Sequence, residues 1–162
     1  LGPLTNPASA PNQVLGVFSL EMVEPLAQVL KALGSRHVMV VHADDGLDEI
    51  SIASPTHCAE LKDGEVIPTT LHPEDFDMQY ANLDDVRVSS AEESLAMIKS
   101  ALSGEAGAAA DIVALNAGAA IYVAGLADSL EAGVSRAREL MGNGEALAKM
   151  DALAQLTQSF AA

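Results

Sequence analysis

The fold is decided by residues 14–41, which read VLGVFSLEMVEPLAQVLKALGSRHVMVV. The short apolar run Val14–Phe18 is typical of a buried strand, and Ser19 can then cap a helix. Apolar residues recur at helical spacing up to Gly34, a residue that favours the end of a helix. Val38–Val41 is a continuous apolar run of the kind found in strands covered on both faces. A strand, a helix and a strand in about thirty residues predict a βαβ unit with parallel strands.

A β-hairpin is predicted next along the chain. Asp63-Gly64 separates two extended runs, Thr56–Lys62 and Glu65–Leu71, and this dipeptide is a strong signal for a two-residue turn. Pro68 has no amide hydrogen, which places the second run at an edge of the sheet. Residues 73–88 show no clean period and are predicted to be loop with short turns.

The chain after Ser90 is predicted to be helical. Ser90 with Glu93 matches a capping box, and Asp128 with Glu131 opens a later helix. Residues 111–125 are apolar on all sides, which predicts a buried helix. The last helix has one apolar stripe, made by Leu147, Met150, Leu153, Leu156 and Phe160. The predicted class is α/β: part of a large domain with a mostly parallel twisted sheet, a peripheral hairpin and several C-terminal helices.

Composition narrows the class of protein. The 162 residues are 49% hydrophobic and 19% charged, which suits one domain or a large piece of one with a real core. The net charge of −15 repels phosphate backbones, so no nucleic-acid partner is expected. No apolar run approaches the ~20 residues that span a bilayer, so no membrane partner is expected. The single cysteine, Cys58, excludes a disulfide framework and favours a reducing, cytoplasmic setting.

The most informative segment for function is residues 41–49, VHADDGLDE. It follows a predicted buried strand, and open α/β sheets bind ligands beyond the carboxyl ends of their strands. Its carboxylates belong to Asp44, Asp45, Asp48 and Glu49. Two carboxylates ~5 Å apart repel by roughly 3 kcal/mol at an effective dielectric near 20. The cluster is therefore either a solvated turn or a site for a hard cation such as Mg²⁺ or Ca²⁺, although the alternation of an EF-hand loop is absent.

Several segments resemble signatures of the anthranilate phosphoribosyltransferases. They are LGPLTNPA at 1–8, QVLGV at 13–17, LGSR at 33–36, VVH at 40–42, DGLDE at 45–49, LNA at 115–117 and YVAG at 122–125. One such motif would be weak evidence for the family, but the series is ordered, suitably spaced and covers nearly the whole chain. The chain departs from the family at Val88-Ser89, where a glycine pair is usual, and at Ser94, where asparagine is common.

The resemblance implies an activity and a cofactor. The family transfers the phosphoribosyl group of phosphoribosyl pyrophosphate (PRPP) to anthranilate in tryptophan biosynthesis, releasing pyrophosphate. Mg²⁺ neutralises that leaving group, and Asp48 and Glu49 match the acidic pair that holds the metal, with Asp44 and Asp45 secondary. No residue is assigned a catalytic role; His42 is the best placed of four dispersed histidines.

The resemblance also suggests a weaker substrate site and a domain assignment. Gly2, Asn6 and Pro7 resemble a loop that lines the entry path of anthranilate, although a rigid turn explains the proline and glycine equally well. Residues 1–162 correspond to the C-terminal part of the large α/β domain. The family's N-terminal helical domain and its glycine-rich phosphate-binding loop are expected upstream of Leu1. The chain alone is therefore expected to be inactive, and the complete enzyme could be a homodimer.

Two other functions remain open at this stage. A nucleoside phosphorylase of related fold would share the architecture but should lack the LGPLTNP start and the pair Asp48-Glu49. An acidic, non-enzymatic α/β scaffold that binds a partner protein should bind neither magnesium nor pyrophosphate.

Overall fold

A computed structural model describes residues 2–160 and shows a four-stranded sheet with helices on both faces. The strands are β1 (Asn12–Gly16), β2 (His37–Ala43), β3 (Thr56–Lys62) and β4 (Glu65–Leu71). The α-helices in these residues are α1 (Val23–Ala32), α2 (Ala91–Leu102), α3 (Ala108–Val123), α4 (Leu130–Gly142) and α5 (Glu145–Gln158). Single 3₁₀ turns cover Gly2–Thr5, Leu20–Met22, Pro73–Phe76 and Leu83–Val86.

The predicted βαβ unit is confirmed: β1 and β2 are parallel neighbours joined by α1. β1 begins earlier than the predicted Val14–Phe18 and ends at Gly16. The prediction was wrong about Phe18, which is 82% exposed because the chain turns away from the sheet there. Ser19 precedes the 3₁₀ turn Leu20–Met22 but does not cap it, since its hydroxyl bonds the carboxylate of Glu21 instead. The backbone amides of that turn are left without the predicted side-chain cap.

The sheet is only partly parallel, which corrects the prediction of a mostly parallel sheet. The strand order is β1-β2-β3-β4, and both β2–β3 and β3–β4 are antiparallel. A parallel partner for β2 would need a crossover such as a helix, whereas residues 44–55 contain none. The hairpin is confirmed: Asp63 and Gly64 both have left-handed φ values, of 51° and 79°, as a type I′ turn requires. Pro68 lies on the edge strand β4, as predicted.

Strand β2 is buried on both faces, as its apolar run predicts. Val38 and Val40 pack in one cluster with Ala27 and Leu30 of α1. Met39, by alternation, belongs to a larger cluster on the opposite face, together with residues of α3 and α4. The sheet is thus the middle layer of an α/β/α arrangement.

The helices after Ser90 follow the predicted order, with one corrected cap. Half of the predicted capping box is confirmed: the Ser90 hydroxyl accepts a hydrogen bond from the Glu93 amide at 3.1 Å, whereas the Glu93 carboxylate accepts from the Ser89 amide rather than the Ser90 amide. At α4 the cap is Ser129 rather than Asp128, because the Ser129 hydroxyl accepts from the Ala132 amide at 3.2 Å. Helix α3 is largely buried, whereas the C-terminal part of the α5 stripe is exposed. Among residues 2–160, no helix has the length and apolarity needed to cross a bilayer.

Candidate functional site

The acidic loop begins where β2 ends, at the carboxyl end of the parallel pair. A tight turn closes its first half: the Gly46 amide donates to the Ala43 carbonyl at 2.9 Å, and the Ala43 amide donates to the Leu47 carbonyl at 3.0 Å. Gly46 has a φ of 92°, a conformation that a side chain would strain. The second half of the loop then passes the last residue of β1, Gly16. The position is the one at which α/β sheets bind ligands.

The first two carboxylates of the loop are engaged within the protein. The Asp44 carboxylate accepts a hydrogen bond from Nε2 of His57 on β3 at 2.8 Å. The Asp45 carboxylate accepts from the Ser51 hydroxyl at 2.5 Å and from the Leu47 amide at 3.1 Å. These contacts hold the turn together and occupy one oxygen of Asp44 and both oxygens of Asp45.

The other two carboxylates are free. Asp48 and Glu49 are exposed, and within residues 2–160 neither side chain makes a hydrogen bond or an ion pair. Carboxylate oxygens are hard ligands that suit Mg²⁺. The pair that resembles the family's metal ligands is therefore also the pair that the structure leaves available.

Two anchors hold the backbone on either side of this pair. The Asp48 carbonyl packs so closely on Gly16 that a methyl group at Gly16 would lie 1.5 Å from its oxygen. The side chain of Asn116, on α3, bonds both the amide and the carbonyl of Ile50, each at 2.9 Å. Sequence reasoning noticed Asn116 only inside a family motif. The one amide side chain of a mostly apolar helix was the available signal, because a half-buried amide needs hydrogen-bond partners.

The electrostatics of the loop favour a cation. No lysine or arginine occurs between Arg36 and Lys62 of the sequence, so no basic side chain of the segment offsets its acids. Within residues 2–160 there is no group of three or more histidine, cysteine, aspartate and glutamate side chains that could hold a metal by itself. A cation at this loop would therefore take its remaining ligands from water or substrate, as Mg²⁺ commonly does.

The histidines near the loop have structural partners. Nδ1 of His42 donates to the Val17 carbonyl at 2.8 Å and ties β2 to the segment after β1. His57 pairs with Asp44. Close to His42, the hydrogen bond from Ser19 lowers the pKa of Glu21. No catalytic role follows from these contacts, and none was assigned to His42 from the sequence.

The residues predicted to line the anthranilate path lie elsewhere. The Asn6 side chain accepts a hydrogen bond from the Ala8 amide at 2.9 Å and lines a pocket of ≈ 180 Å³ with Pro11, Gln13 and Gly34. This pocket is at the amino end of β1, whereas Asp48 packs on its carboxyl end. The structure does not bring the two predicted sites together, and the role of Gly2, Asn6 and Pro7 stays a prediction.

A second polar cluster joins the sheet to α3. Glu60 accepts hydrogen bonds from His37 and from the Tyr122 hydroxyl, each at 2.8 Å, and Lys62 donates to that hydroxyl at 3.0 Å. Burial raises the pKa of Tyr122. Cys58 is also buried, which raises its pKa to about 12 and makes it an inert thiol. None of these hydrogen bonds reaches the acidic loop.

The fold and the loop define a class of enzyme. The chain belongs to the glycosyl transferase family, whose a/b domain matches residues 1–147. It is an α/β domain with an acidic loop at the carboxyl end of a parallel strand pair.

Within that class the chain is similar to anthranilate phosphoribosyltransferases. It is 60% identical over 159 residues to the enzyme of Thioalkalivibrio sulfidiphilus, covering 98% of this chain and 47% of that one. It is 56% identical over 162 residues to the enzyme of Methylococcus capsulatus, covering 100% of this chain and 48% of that one. The chain thus spans about half the length of the curated relatives it matches.

Solved structures show the same likeness. The enzyme of Thermus thermophilus superposes with a TM-score of 0.80 at 41% identity, over 90% of this chain and 43% of that one. The enzyme of Saccharomyces cerevisiae in complex with PRPP and Mg superposes with a TM-score of 0.80 at 24% identity, over 93% and 44%. The second likeness shows the fold alone.

Proposed function

We propose that this chain forms the magnesium-binding part of an anthranilate phosphoribosyltransferase. The reaction transfers the phosphoribosyl group of PRPP to the amine of anthranilate and releases pyrophosphate. Support comes from the family match and from the relatives of that name. The fold is also that of yeast enzymes solved with PRPP and Mg and with 4-fluoroanthranilate.

The observation that carries the proposal is the difference between the four acids of the loop. Asp44 and Asp45 are bonded within the protein, whereas Asp48 and Glu49 are exposed and free in the described part of the chain. Neighbours on an extended strand would point to opposite faces. These two lie beyond the end of β2, outside any strand, so their carboxylates are not held to opposite faces.

In this proposal Asp48 and Glu49 hold Mg²⁺, and the remaining ligands come from the phosphates of PRPP and from water. The bound ion supplies charge neutralisation for the departing pyrophosphate. The protein's own contribution is to fix the loop through Gly16 and Asn116 and to leave residues 37–61 without a lysine or arginine that would compete with the metal. An acidic chain can thereby accept an anionic substrate, because the substrate arrives with a metal.

The rest of the proposal concerns the complete enzyme. We propose that residues 1–162 are the C-terminal part of its large domain, and that Gly2, Asn6 and Pro7 lie on the path by which anthranilate enters. The helical domain and the phosphate-binding loop would come from the other half. A reducing cytoplasmic setting suits the buried, unpaired thiol of Cys58, and a homodimer is compatible with the proposal.

A chimaeric enzyme tests the metal pair. The chain replaces the matching half of the Thioalkalivibrio sulfidiphilus enzyme, and anthranilate consumption is followed by fluorescence while magnesium is titrated. We expect D48N and E49Q to raise the magnesium concentration for half-maximal rate by about tenfold or more, since changing even an indirect metal contact commonly costs that much. The matched control D63N, in the hairpin turn, removes the same charge and should leave the titration unchanged.

An unchanged magnesium dependence of both variants would contradict the proposal. If D48N and E49Q keep the magnesium dependence of the parent chimaera while D44N shifts it, the metal pair has been assigned to the wrong end of the loop. Folding of each variant is checked by circular dichroism, so that a loss of rate is not mistaken for a loss of structure.

A further inference from the structure

Asn116 reaches the acidic loop from a different layer of the protein. It lies on α3, 66 residues away from Ile50 in sequence. Its Oδ1 accepts a hydrogen bond from the Ile50 amide at 2.9 Å, and its Nδ2 donates to the Ile50 carbonyl at 2.9 Å. Nδ2 also donates to the Ile112 carbonyl at 3.0 Å, one helical turn earlier. Both hydrogens of the amide group are therefore used, and its orientation is fixed.

These bonds act on the peptide next to the proposed metal pair. The Ile50 amide belongs to the peptide that joins Glu49 to Ile50. Asn116 therefore fixes the orientation of this peptide plane and, with it, the direction of the Glu49 backbone. The Ile50 side chain is 1% exposed and anchors the same residue in the core. On the other side of the pair, Asp48 is confined by Gly16. Asp48 and Glu49 are thus held between two fixed points, with their carboxylates in solvent.

The chemistry of the contact requires a carboxamide. The Ile50 backbone presents one donor and one acceptor, and asparagine is the side chain of this length that offers both. Aspartate would keep an acceptor for the Ile50 amide but would face the Ile50 and Ile112 carbonyls with no donor. Leucine would keep the volume and lose all three hydrogen bonds.

We propose that Asn116 is a positioning residue for a divalent cation held by Asp48 and Glu49, which it orients without touching the ion. The inference rests on the proposed function, because it concerns the same metal pair. Asn116 fixes the spacing of the two carboxylates in advance, so that binding a cation does not require ordering the loop. Removing the amide leaves both carboxylates present but free to move apart.

The purified chain and Mn²⁺ with pyrophosphate test the proposal. Mn²⁺ affinity is measured by electron paramagnetic resonance, and protection of the Ile50 amide by hydrogen exchange. We expect N116L and N116D to fold and to bind Mn²⁺ about 10–100-fold more weakly, as for other indirect metal contacts. N116L, which loses the acceptor for the Ile50 amide, should also exchange that amide about tenfold faster, whereas N116D keeps the acceptor and should protect it more. The matched control is N143L: Asn143 also makes two side-chain hydrogen bonds, both to Glu145 at the turn before α5. N143L should keep the Mn²⁺ affinity.

The outcomes separate the two proposals. If N116L binds Mn²⁺ like the parent chain while D48N does not, Asn116 is only structural and the positioning role is overturned. If the parent chain binds no Mn²⁺ in the presence of pyrophosphate, or D48N binds it as well as the parent, the metal pair itself is wrong and the role of Asn116 falls with it. Weakened binding in both N116L and D48N, with N143L unchanged, supports both.

Discussion

At the scale of single residues, neighbouring acids of one loop have different roles because their surroundings differ. Asp44 and Asp45 find partners in His57 and Ser51, and these bonds shape the turn. Asp48 and Glu49 have no such partner in residues 2–160 and remain available to a cation. A count of carboxylates in the sequence cannot make this distinction, because it depends on what β3 and the following loop bring alongside.

Gly16 is the residue whose size matters most for this loop. A methyl group there would lie 1.5 Å from the Asp48 carbonyl oxygen and 2.4 Å from its carbonyl carbon, both backbone atoms that cannot rotate away. We expect G16A to lower the free energy of unfolding by about 1–3 kcal/mol, the usual cost of overpacking, and to displace Asp48. Urea unfolding followed by circular dichroism measures the first effect. G2A is the control, since a methyl group at Gly2 would meet no other atom within 4 Å, and equal stability of G16A and G2A would contradict the expectation.

At the scale of elements, α3, the helix that carries Asn116, is held in place by its close packing on α4. Gly118 of α3 and Gly133 of α4 meet at the crossing, where a methyl group on Gly133 would lie 2.3 Å from the Gly118 carbonyl oxygen. Asn116 lies on the same helix, half a turn before Gly118. The position of α3 against its neighbours therefore also sets the position of the amide that holds Ile50.

The helix crossing can be tested by adding one methyl group. We expect G133A to lower the free energy of unfolding by about 1–3 kcal/mol, because the two helix backbones must separate to admit the methyl. G142A on the same helix is the matched control: a methyl group at Gly142 would meet no other atom within 4 Å, and alanine is the better helix former. Thermal unfolding of both variants measures the difference. A melting temperature of G133A equal to that of G142A would show that the crossing tolerates the extra volume.

At the scale of the whole molecule, the charge distribution supports the proposed use of a metal and the expectation that this chain is inactive alone. The net charge is −15, with eight lysines and arginines against 23 aspartates and glutamates. Residues 37–61 contain neither lysine nor arginine, so the segment that includes the loop offers no such side chain to the phosphates of PRPP. In the proposed function, contacts to the ribose phosphate and to anthranilate come largely from the other half of the enzyme.

We therefore expect the purified 162-residue chain to show no anthranilate consumption under conditions in which the chimaera is active. Transfer between two substrates depends on holding both in a reactive geometry, and loss of one substrate site removes that contribution. The fluorescence assay with PRPP and saturating magnesium measures it, with the chimaera as the positive control. Turnover by the chain alone, purified free of host enzyme, would overturn the expectation.

The local patterns of the sequence determined most of the fold. The βαβ unit, the Asp63-Gly64 hairpin, the edge position of Pro68 and the Ser90 cap all depend on neighbouring residues, and each was confirmed. The family resemblance was likewise visible in ordered motifs and is confirmed by the family match. These features are encoded over a few residues, so hydrophobic period and turn chemistry suffice to find them.

Only the tertiary structure decided the direction of the third strand, the exposure of Phe18 and which acids of the loop have hydrogen-bond partners. The sheet is partly parallel because residues 44–55 cross to β3 without a helix, and no pattern of alternating side chains records strand direction. Asp44 meets His57, and Ile50 meets Asn116 across 66 residues, only once the sheet and α3 are packed. Contacts between residues so distant in sequence follow from the packing of whole elements. The sequence therefore suggested the proposed metal pair by resemblance but could not show what holds its backbone.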